Sequence, residues 1–190
     1  MSAASIKHLA IDSSVLLDCS NFVQKCEILY VTDLIIKEIR DVKSKIRLNS
    51  LPCKWVIRNP LKSTIQRVSE FLTDICEIKA LSEADVSLIA LTIDLQESFG
   101  DSKSIKWETK DIEIKGKGSS QDIPGFYNNG CVDEWLTPSK IEDLAENNNN
   151  DAANIFVACA SNDNAIQNSC LILGLKVVCS KGYFVNIITK

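Results

Sequence analysis

Two apolar runs near opposite ends of the chain, each followed by polar residues and then a helical pattern, constrain the fold most strongly. The first is residues 9–11, which end at Asp12, and the second is residues 154–160, which lead to Asp163. Short apolar runs of this kind are typical of strands buried in a parallel sheet. A further run at residues 26–31 and helical patterns at residues 60–74 and 82–95 continue the alternation. The sequence therefore predicts an α/β fold with a central, mostly parallel sheet covered by helices on both faces.

The chain has 190 residues, which is enough for one domain with its own core. From residue 99 onwards Gly, Ser, Lys and Asp replace the apolar periodicity, so we predict a core built from residues 1–98 and 135–190, with a flexible insertion at 99–134. The N-terminus lacks a signal-like apolar region, and no stretch approaches the roughly 20 apolar residues that cross a bilayer. We therefore expect an intracellular, soluble protein that has no membrane partner.

Cysteine and histidine usage excludes two kinds of chemistry. The eight cysteines are scattered and include no CxxC pair, so a structural zinc site is not expected and reduced thiols are the simplest interpretation. The only histidine is His8, beside the first predicted strand. Catalysis by several histidines is excluded, and a nucleophile–histidine mechanism would depend on His8 alone.

Asp12 and Asp163 both follow predicted strands. The carboxyl ends of parallel strands meet at one edge of a sheet, and open α/β sheets place their ligands in the crevice there. Both aspartates are therefore candidate site residues. For Asp12 the alternative is that its carboxylate only caps the helix that follows it.

Glu38 and Asp85 are the other two candidate acids. Glu38 lies four residues after Leu34, which predicts that its carboxylate shares the apolar face of a helix and needs a partner, a metal or a cleft edge. Asp85 lies three residues after Ser82, a predicted N-cap, so capping alone is an open alternative for Asp85. Converging carboxylates without histidine would form a hard, oxygen-rich pocket, which suits Mg²⁺ or Mn²⁺.

A basic segment interrupts a chain that is acidic overall. Residues 37–67 carry a net charge of +7, whereas the other residues together carry −11. This asymmetry predicts contact with a polyanion, and a solvated helix face is the alternative. The candidate RNA-binding residues are Lys37, Arg40, Lys43, Lys45 and Arg47.

Several motifs, in this order along the chain, resemble those of PIN-domain endoribonucleases, and more closely those of the Nob-type enzymes that cut the 3′ end of small-subunit ribosomal RNA. The resemblance runs from about residue 9 to 179, apart from the insertion. The matching pieces are LAIDSSVLL, KEIRD followed by LNSLP, SEADVSLIALT, WLTPSKI and SNDNAIQNSCLILGL.

The resemblance implies a PIN-like, Rossmann-like three-layer sandwich in which Asp12, Glu38, Asp85 and Asp163 are catalytic and bind Mg²⁺ or Mn²⁺. It also implies cleavage of pre-rRNA at the 3′ end of 18S rRNA in the pre-small ribosomal subunit, to leave 3′-hydroxyl and 5′-phosphate ends. A KH-domain assembly factor as partner, and a location in nucleus, nucleolus and cytoplasm, follow from the same resemblance. Ser161 and Asn162 stand where relatives often have Thr, and the family's usual zinc ribbon has no counterpart among these cysteines.

Two other functions fit part of the sequence. A PIN-like binding module that has lost turnover would serve ribosome assembly through RNA contact alone. A different Mg²⁺-dependent phosphohydrolase acting on small phosphates would explain the four acids, but neither the basic segment nor WLTPSKI.

Overall fold

The computed structural model describes residues 6–18, 26–39, 42–51, 53–75, 81–107 and 155–186. Its centre is a six-stranded sheet in the order β3-β2-β1-β4-β5-β6, in which every neighbouring pair is parallel except β5 and β6. The strands are β1 (Ile6–Ile11), β2 (Cys26–Val31), β3 (Lys54–Ile57), β4 (Ile155–Ala160), β5 (Val177–Val178) and β6 (Phe184–Val185). The predicted α/β class with a mostly parallel sheet is confirmed.

The three longest strands, β1, β2 and β4, coincide with the three apolar runs that the sequence predicts to be strands. β1 lies between β2 and β4, and its last three residues are all fully buried. Strand β3 was not predicted, because its four residues lie inside the basic segment and were interpreted by their charge.

Helices flank the sheet. In the described ranges they are α1 (Ser13–Asp18), α2 (Asp33–Glu38), α3 (Val42–Asn49), α4 (Lys62–Asp74), α5 (Glu83–Phe99) and α6 (Asn164–Ile172), with a 3₁₀ turn at Ser102–Ser104. Three of the helices have a side-chain N-cap, whose oxygen accepts a backbone N–H of the first turn. The N-cap residues are Thr32 for α2, Ser82 for α5 and Asp163 for α6. The place of Thr32 between an apolar run and a helical pattern predicts an N-cap, as does that of Ser82, and both N-caps are confirmed. No helix in the described ranges has the length and apolar character needed to cross a bilayer.

Helix α5 is the central helix of the core, as its nearly continuous apolar sequence predicts. Residues 86–95 are all buried, and the helix packs against β1, β4 and α4. Gly174 ends α6 with φ of 77°, in the left-handed region that glycine adopts without strain. A Cβ atom there would also lie 2.4 Å from the Ser104 carbonyl oxygen.

Two local predictions were wrong. The apolar spacing from Leu34 to Val42 predicts one helix, but α2 ends at Glu38 and α3 begins at Val42. The apolar spacing of residues 60–74 also predicts that Leu61 faces inward; it is 64% exposed because it occupies the N-cap of α4, where the chain is extended.

The start of the predicted insertion packs on the core. Ile105 is buried, and the N–H of Lys106 donates to the Leu173 carbonyl. Residues 108–134 lie outside the described residues, as do a predicted edge strand at 76–80 and the WLTPSKI motif. The boundaries of the insertion therefore stay a prediction.

Candidate active site at the carboxyl ends of β1 and β4

The chain changes direction in the sheet at β1. From β1 it passes to β2 and β3 on one side, and later returns to β4 on the other. The carboxyl ends of the two strands at such a switch point border the crevice where α/β folds bind ligands. Ile11 pairs with Ala160 in the register of β1 and β4, so Asp12 and Ser161 come next to each other, and the Asp12 N–H donates to the Ala160 carbonyl at 2.9 Å.

The Asp12 carboxylate is nearly buried, with 7% of the residue exposed. Its Oδ1 accepts the Ser13 N–H at 2.6 Å, and its Oδ2 accepts the Ser14 hydroxyl at 2.5 Å. The Ser161 hydroxyl lies 3.4 Å from Oδ2. The Ser14 N–H also donates to Oδ2 at 3.4 Å, so Asp12 caps α1 as well as facing the crevice.

Glu38 reaches the same place from α2 through one hydroxyl. The Ser13 Oγ lies 3.3 Å from Asp12 Oδ1 and 3.2 Å from Glu38 Oε2, so this hydroxyl bridges the two acids. The prediction that Glu38 lies on a buried apolar face was wrong, because Glu38 is exposed and ends α2, whereas Ile39 beside it is buried. The contact that the structure shows for its carboxylate is the one with the Ser13 hydroxyl.

Asp163 is joined to Asp12 through Ser161. The Asp163 N–H donates to the Ser161 hydroxyl at 3.0 Å, and its own Oδ1 caps α6 by accepting the Ala165 N–H at 2.6 Å. Asp163 is exposed, and the link to Asp12 therefore runs through its backbone N–H and Ser161, whereas its carboxylate caps α6.

Asp85 forms the predicted capping box at the start of α5. Its Oδ2 accepts the Ser82 N–H at 2.7 Å, and its N–H donates to the Ser82 hydroxyl at 3.3 Å. A cavity lined in part by Leu34, Ser82 and Val86 places this end of α5 beside α2, the helix that ends at Glu38. The structure therefore shows the capping role of Asp85 and places the start of its helix beside α2. Among the described residues, the Asp85 carboxylate makes no hydrogen bond with the Asp12 cluster, which consists of Asp12, Ser13, Glu38, Ser161 and Asp163.

The donor set around Asp12 fits a hard divalent cation. It consists of carboxylate and hydroxyl oxygens, which Mg²⁺ and Mn²⁺ prefer over the nitrogen and sulfur ligands of zinc sites. Within the described ranges no Lys or Arg forms a salt bridge with Asp12, so no protein cation neutralises it there. Those ranges also contain no group of three or more Asp, Glu, His or Cys side chains arranged to hold a metal. The four-acid ligand set therefore stays a prediction.

The basic segment is distributed over four elements. Lys37 on α2 and Lys45 on α3 are exposed, whereas Arg67 on α4 lies 3.6 Å from Glu97 and stacks on the Trp107 ring. Arg40 lies outside the described residues, as do the side chains of Lys43 and Arg47. Lys37 and Lys45 are thus the predicted RNA-binding residues whose exposure the structure shows.

Sequence reasoning gave no role to Ser13, to Ser161 or to Gln167, whose buried amide donates to the Ser161 carbonyl at 2.7 Å. Ser13 and Ser161 directly follow the two strands that border the crevice. Their position after these strands could therefore have identified them as site residues. Gln167 lies within the matching piece SNDNAIQNSCLILGL.

Comparison with known proteins agrees with this fold. A family profile described as "PIN domain of ribonuclease" matches residues 9–95, which include Asp12, Glu38 and Asp85. Over residues 9–95 the chain is thus similar to the PIN domain of ribonucleases, and this part of the chain contains the end of β1 and all of β2 and β3 of the α/β sheet.

Its relatives are of the Nob1 type. The chain is similar to the "20S-pre-rRNA D-site endonuclease nob1" of Schizosaccharomyces pombe, at 24% identity over 94% of this chain and 62% of that protein. It is 32% identical to the "Endoribonuclease Nob1" of Pyrococcus abyssi, over 53% of this chain and 65% of that protein. It is 25% identical to the "RNA-binding protein NOB1" of Mus musculus, over 75% of this chain and 34% of that protein. The chain thus spans less than two thirds of the length of each of these relatives.

Proposed function

We propose that this chain is the catalytic domain of a metal-dependent endoribonuclease that cleaves pre-rRNA at the 3′ end of 18S rRNA during maturation of the small ribosomal subunit. The observation that carries the proposal is the Asp12 cluster. A nearly buried carboxylate at the topological switch point is bridged by one serine hydroxyl to Glu38, and Asp163 is joined to it through a second serine. The names of the relatives support the reaction and the substrate.

In this proposal Asp12 and Glu38 hold Mg²⁺ or Mn²⁺ at the crevice, and Asp163 and Asp85 complete the ligand set. A divalent ion bound there would supply an activated water and neutralise charge on the phosphate. Ser13 keeps the Glu38 carboxylate close to Asp12, and Ser14 fixes the orientation of the Asp12 carboxylate. Lys37 and Lys45 hold the RNA backbone beside the site.

The same proposal includes a substrate, a partner and a location: the pre-small ribosomal subunit, a KH-domain assembly factor, and the nucleus, nucleolus and cytoplasm. They are supported by the motif resemblance alone. A PIN-like RNA-binding module without turnover is the second candidate, because the Asp12 cluster also caps α1 and α6 and so has a structural role in any case.

The test is cleavage of an RNA spanning the 3′ end of small-subunit rRNA in the presence of Mn²⁺, with wild type beside Asp12→Asn. Asn caps a helix about as well as Asp, so the variant keeps the cap and loses the charge. We expect cleavage to fall by orders of magnitude, whereas the melting temperature measured without metal should be unchanged or higher because repulsion between carboxylates is relieved.

Glu83→Gln is the matched control, since Glu83 is an exposed acid in the first turn of α5, near Asp85. It should cleave like wild type. If wild type binds the RNA and does not cleave it, the RNA-binding module is the correct function and the nuclease proposal is wrong. If Asp12→Asn cleaves as fast as wild type, the metal-nuclease mechanism is wrong.

A further inference from the structure

Gln167 is a polar side chain in a core position of α6. It is 7% exposed and lies beside Ile166, which is 1% exposed. Burying an amide is unfavourable unless it is hydrogen-bonded, and Gln167 Nε2 donates to the Ser161 carbonyl at 2.7 Å. The amide therefore occupies a place that an apolar side chain would fill, and it makes one specific contact with the turn after β4.

The hydrogen bond from Gln167 holds Ser161, the residue that contacts both Asp12 and Asp163. Ser161 is fully buried, and its hydroxyl accepts the Asp163 N–H at 3.0 Å and lies 3.4 Å from Asp12 Oδ2. The carbonyl that Gln167 holds and the hydroxyl that reaches Asp12 belong to this same residue. A change in the Ser161 peptide plane would consequently move the hydroxyl away from Asp12, Asp163 or both.

We propose that Gln167 is a positioning residue of the active site: its amide sets the Ser161 hydroxyl, which in turn orients the Asp12 carboxylate and the Asp163 backbone for metal binding. This inference rests on the proposed nuclease function. Gln167 touches neither acid through its amide, and its effect passes entirely through Ser161. Residues that orient metal ligands in this way typically change metal affinity about 10- to 100-fold when they are replaced.

The test is Mn²⁺ affinity without RNA, measured from the electron paramagnetic resonance signal of free Mn²⁺, for wild type and Gln167→Met. Methionine is unbranched and similar in length, so it fills the site and removes only the amide. We expect Mn²⁺ to bind about 10-fold more weakly to Gln167→Met. Ser169→Ala is the matched control, because Ser169 is a fully buried hydroxyl on the same helix with no hydrogen-bond partner in the described structure. It should bind Mn²⁺ like wild type.

A double-variant cycle separates positioning from general loosening of α6. Ser161→Ala removes the hydroxyl through which Gln167 acts, so Gln167→Met should weaken Mn²⁺ binding little further in the Ser161→Ala background. Independent, additive effects would overturn the proposal. If Gln167→Met does not fold, Gln167→Asn provides the same test, because it keeps an amide that is one methylene too short to reach the Ser161 carbonyl.

Asp12→Asn in the same assay distinguishes the two possible failures. If Asp12→Asn loses Mn²⁺ binding while Gln167→Met binds like wild type and only its melting temperature changes, the positioning role is wrong and the proposed function stands. If Asp12→Asn binds Mn²⁺ as well as wild type does, the metal site itself is wrong, and the role of Gln167 falls with it.

Discussion

The Asp94 carboxylate of α5 accepts the Thr64 hydroxyl of α4 at 2.6 Å, inside the contact between these two helices. Its other oxygen accepts the Leu61 N–H at 2.7 Å. Leu61 is the N-cap residue of α4 and has no side-chain oxygen to offer to that helix. A buried acid from the neighbouring helix thus supplies the acceptor that the N-terminus of α4 lacks, and Asp94 has a structural role.

Replacing Asp94 with Ala should lower the free energy of unfolding by about 3 kcal/mol, because two donors lose a charged acceptor in the interior. Urea unfolding would measure the change. Glu97→Ala is the control on the same helix, where an exposed pair with Arg67 should contribute less than about 1 kcal/mol. Equal losses for the two variants would contradict the capping role.

The free energy of unfolding should depend on pH through His8. The His8 ring stacks on Phe99, and its Nδ1 lies 3.0 Å from the Tyr30 hydroxyl oxygen. Burial lowers the pKa of His8 below 6.5; Glu27 opposes this shift, and the charges of Lys7 and Arg58 add to it. The unfolded chain therefore binds the proton more readily, so the free energy of unfolding falls as pH drops through the interval from 6.5 to the lowered pKa.

His8→Phe keeps an aromatic ring against Phe99 and removes the titrating group. Unfolding by urea at several pH values around 6.5 should give a flatter dependence for this variant than for wild type. An identical dependence would show that other groups control stability in this interval.

RNA affinity should depend on salt through Lys37 and Lys45, the exposed lysines of the basic segment. Each phosphate contact to single-stranded RNA contributes about 0.7 to the slope of log affinity against log salt concentration. The double variant Lys37→Gln with Lys45→Gln should therefore lower the slope by about 1.4, as fluorescence anisotropy would report. Lys103→Gln with Lys106→Gln removes the same charge from the exposed segment after α5 and should leave the slope unchanged.

The strands that carry the site could be predicted from sequence because strands in the middle of a parallel sheet are short apolar runs, as in residues 155–160 of β4. Capping was also predictable, since Thr32 and Ser82 act on residues only three positions away. The split between α2 and α3 was not, because the spacing of Leu34, Ile35 and Ile39 continues across the point where the backbone leaves the helix.

The sequence could predict those site residues that come directly after a strand, but not the contacts between them. Asp12 was identified by its place after β1, but the Ser13 bridge to Glu38 depends on how α2 leaves β2, which the spacing of apolar residues does not encode. Gln167 looks like an ordinary helix residue in the sequence. Its function depends on a hydrogen bond to the preceding turn that forms only when α6 packs on the sheet.

The pairing of β1 with β4 also determines when in the life of the chain the Asp12 cluster is complete. Ser161 is made 149 residues after Asp12, so during translation Asp12 and Glu38 emerge long before the turn that holds Ser161 and Asp163. Until β4 takes its place beside β1, the growing polypeptide lacks one side of the crevice. The proposed metal site can therefore be completed only after residues 155–163 have been synthesised and β4 has paired with β1.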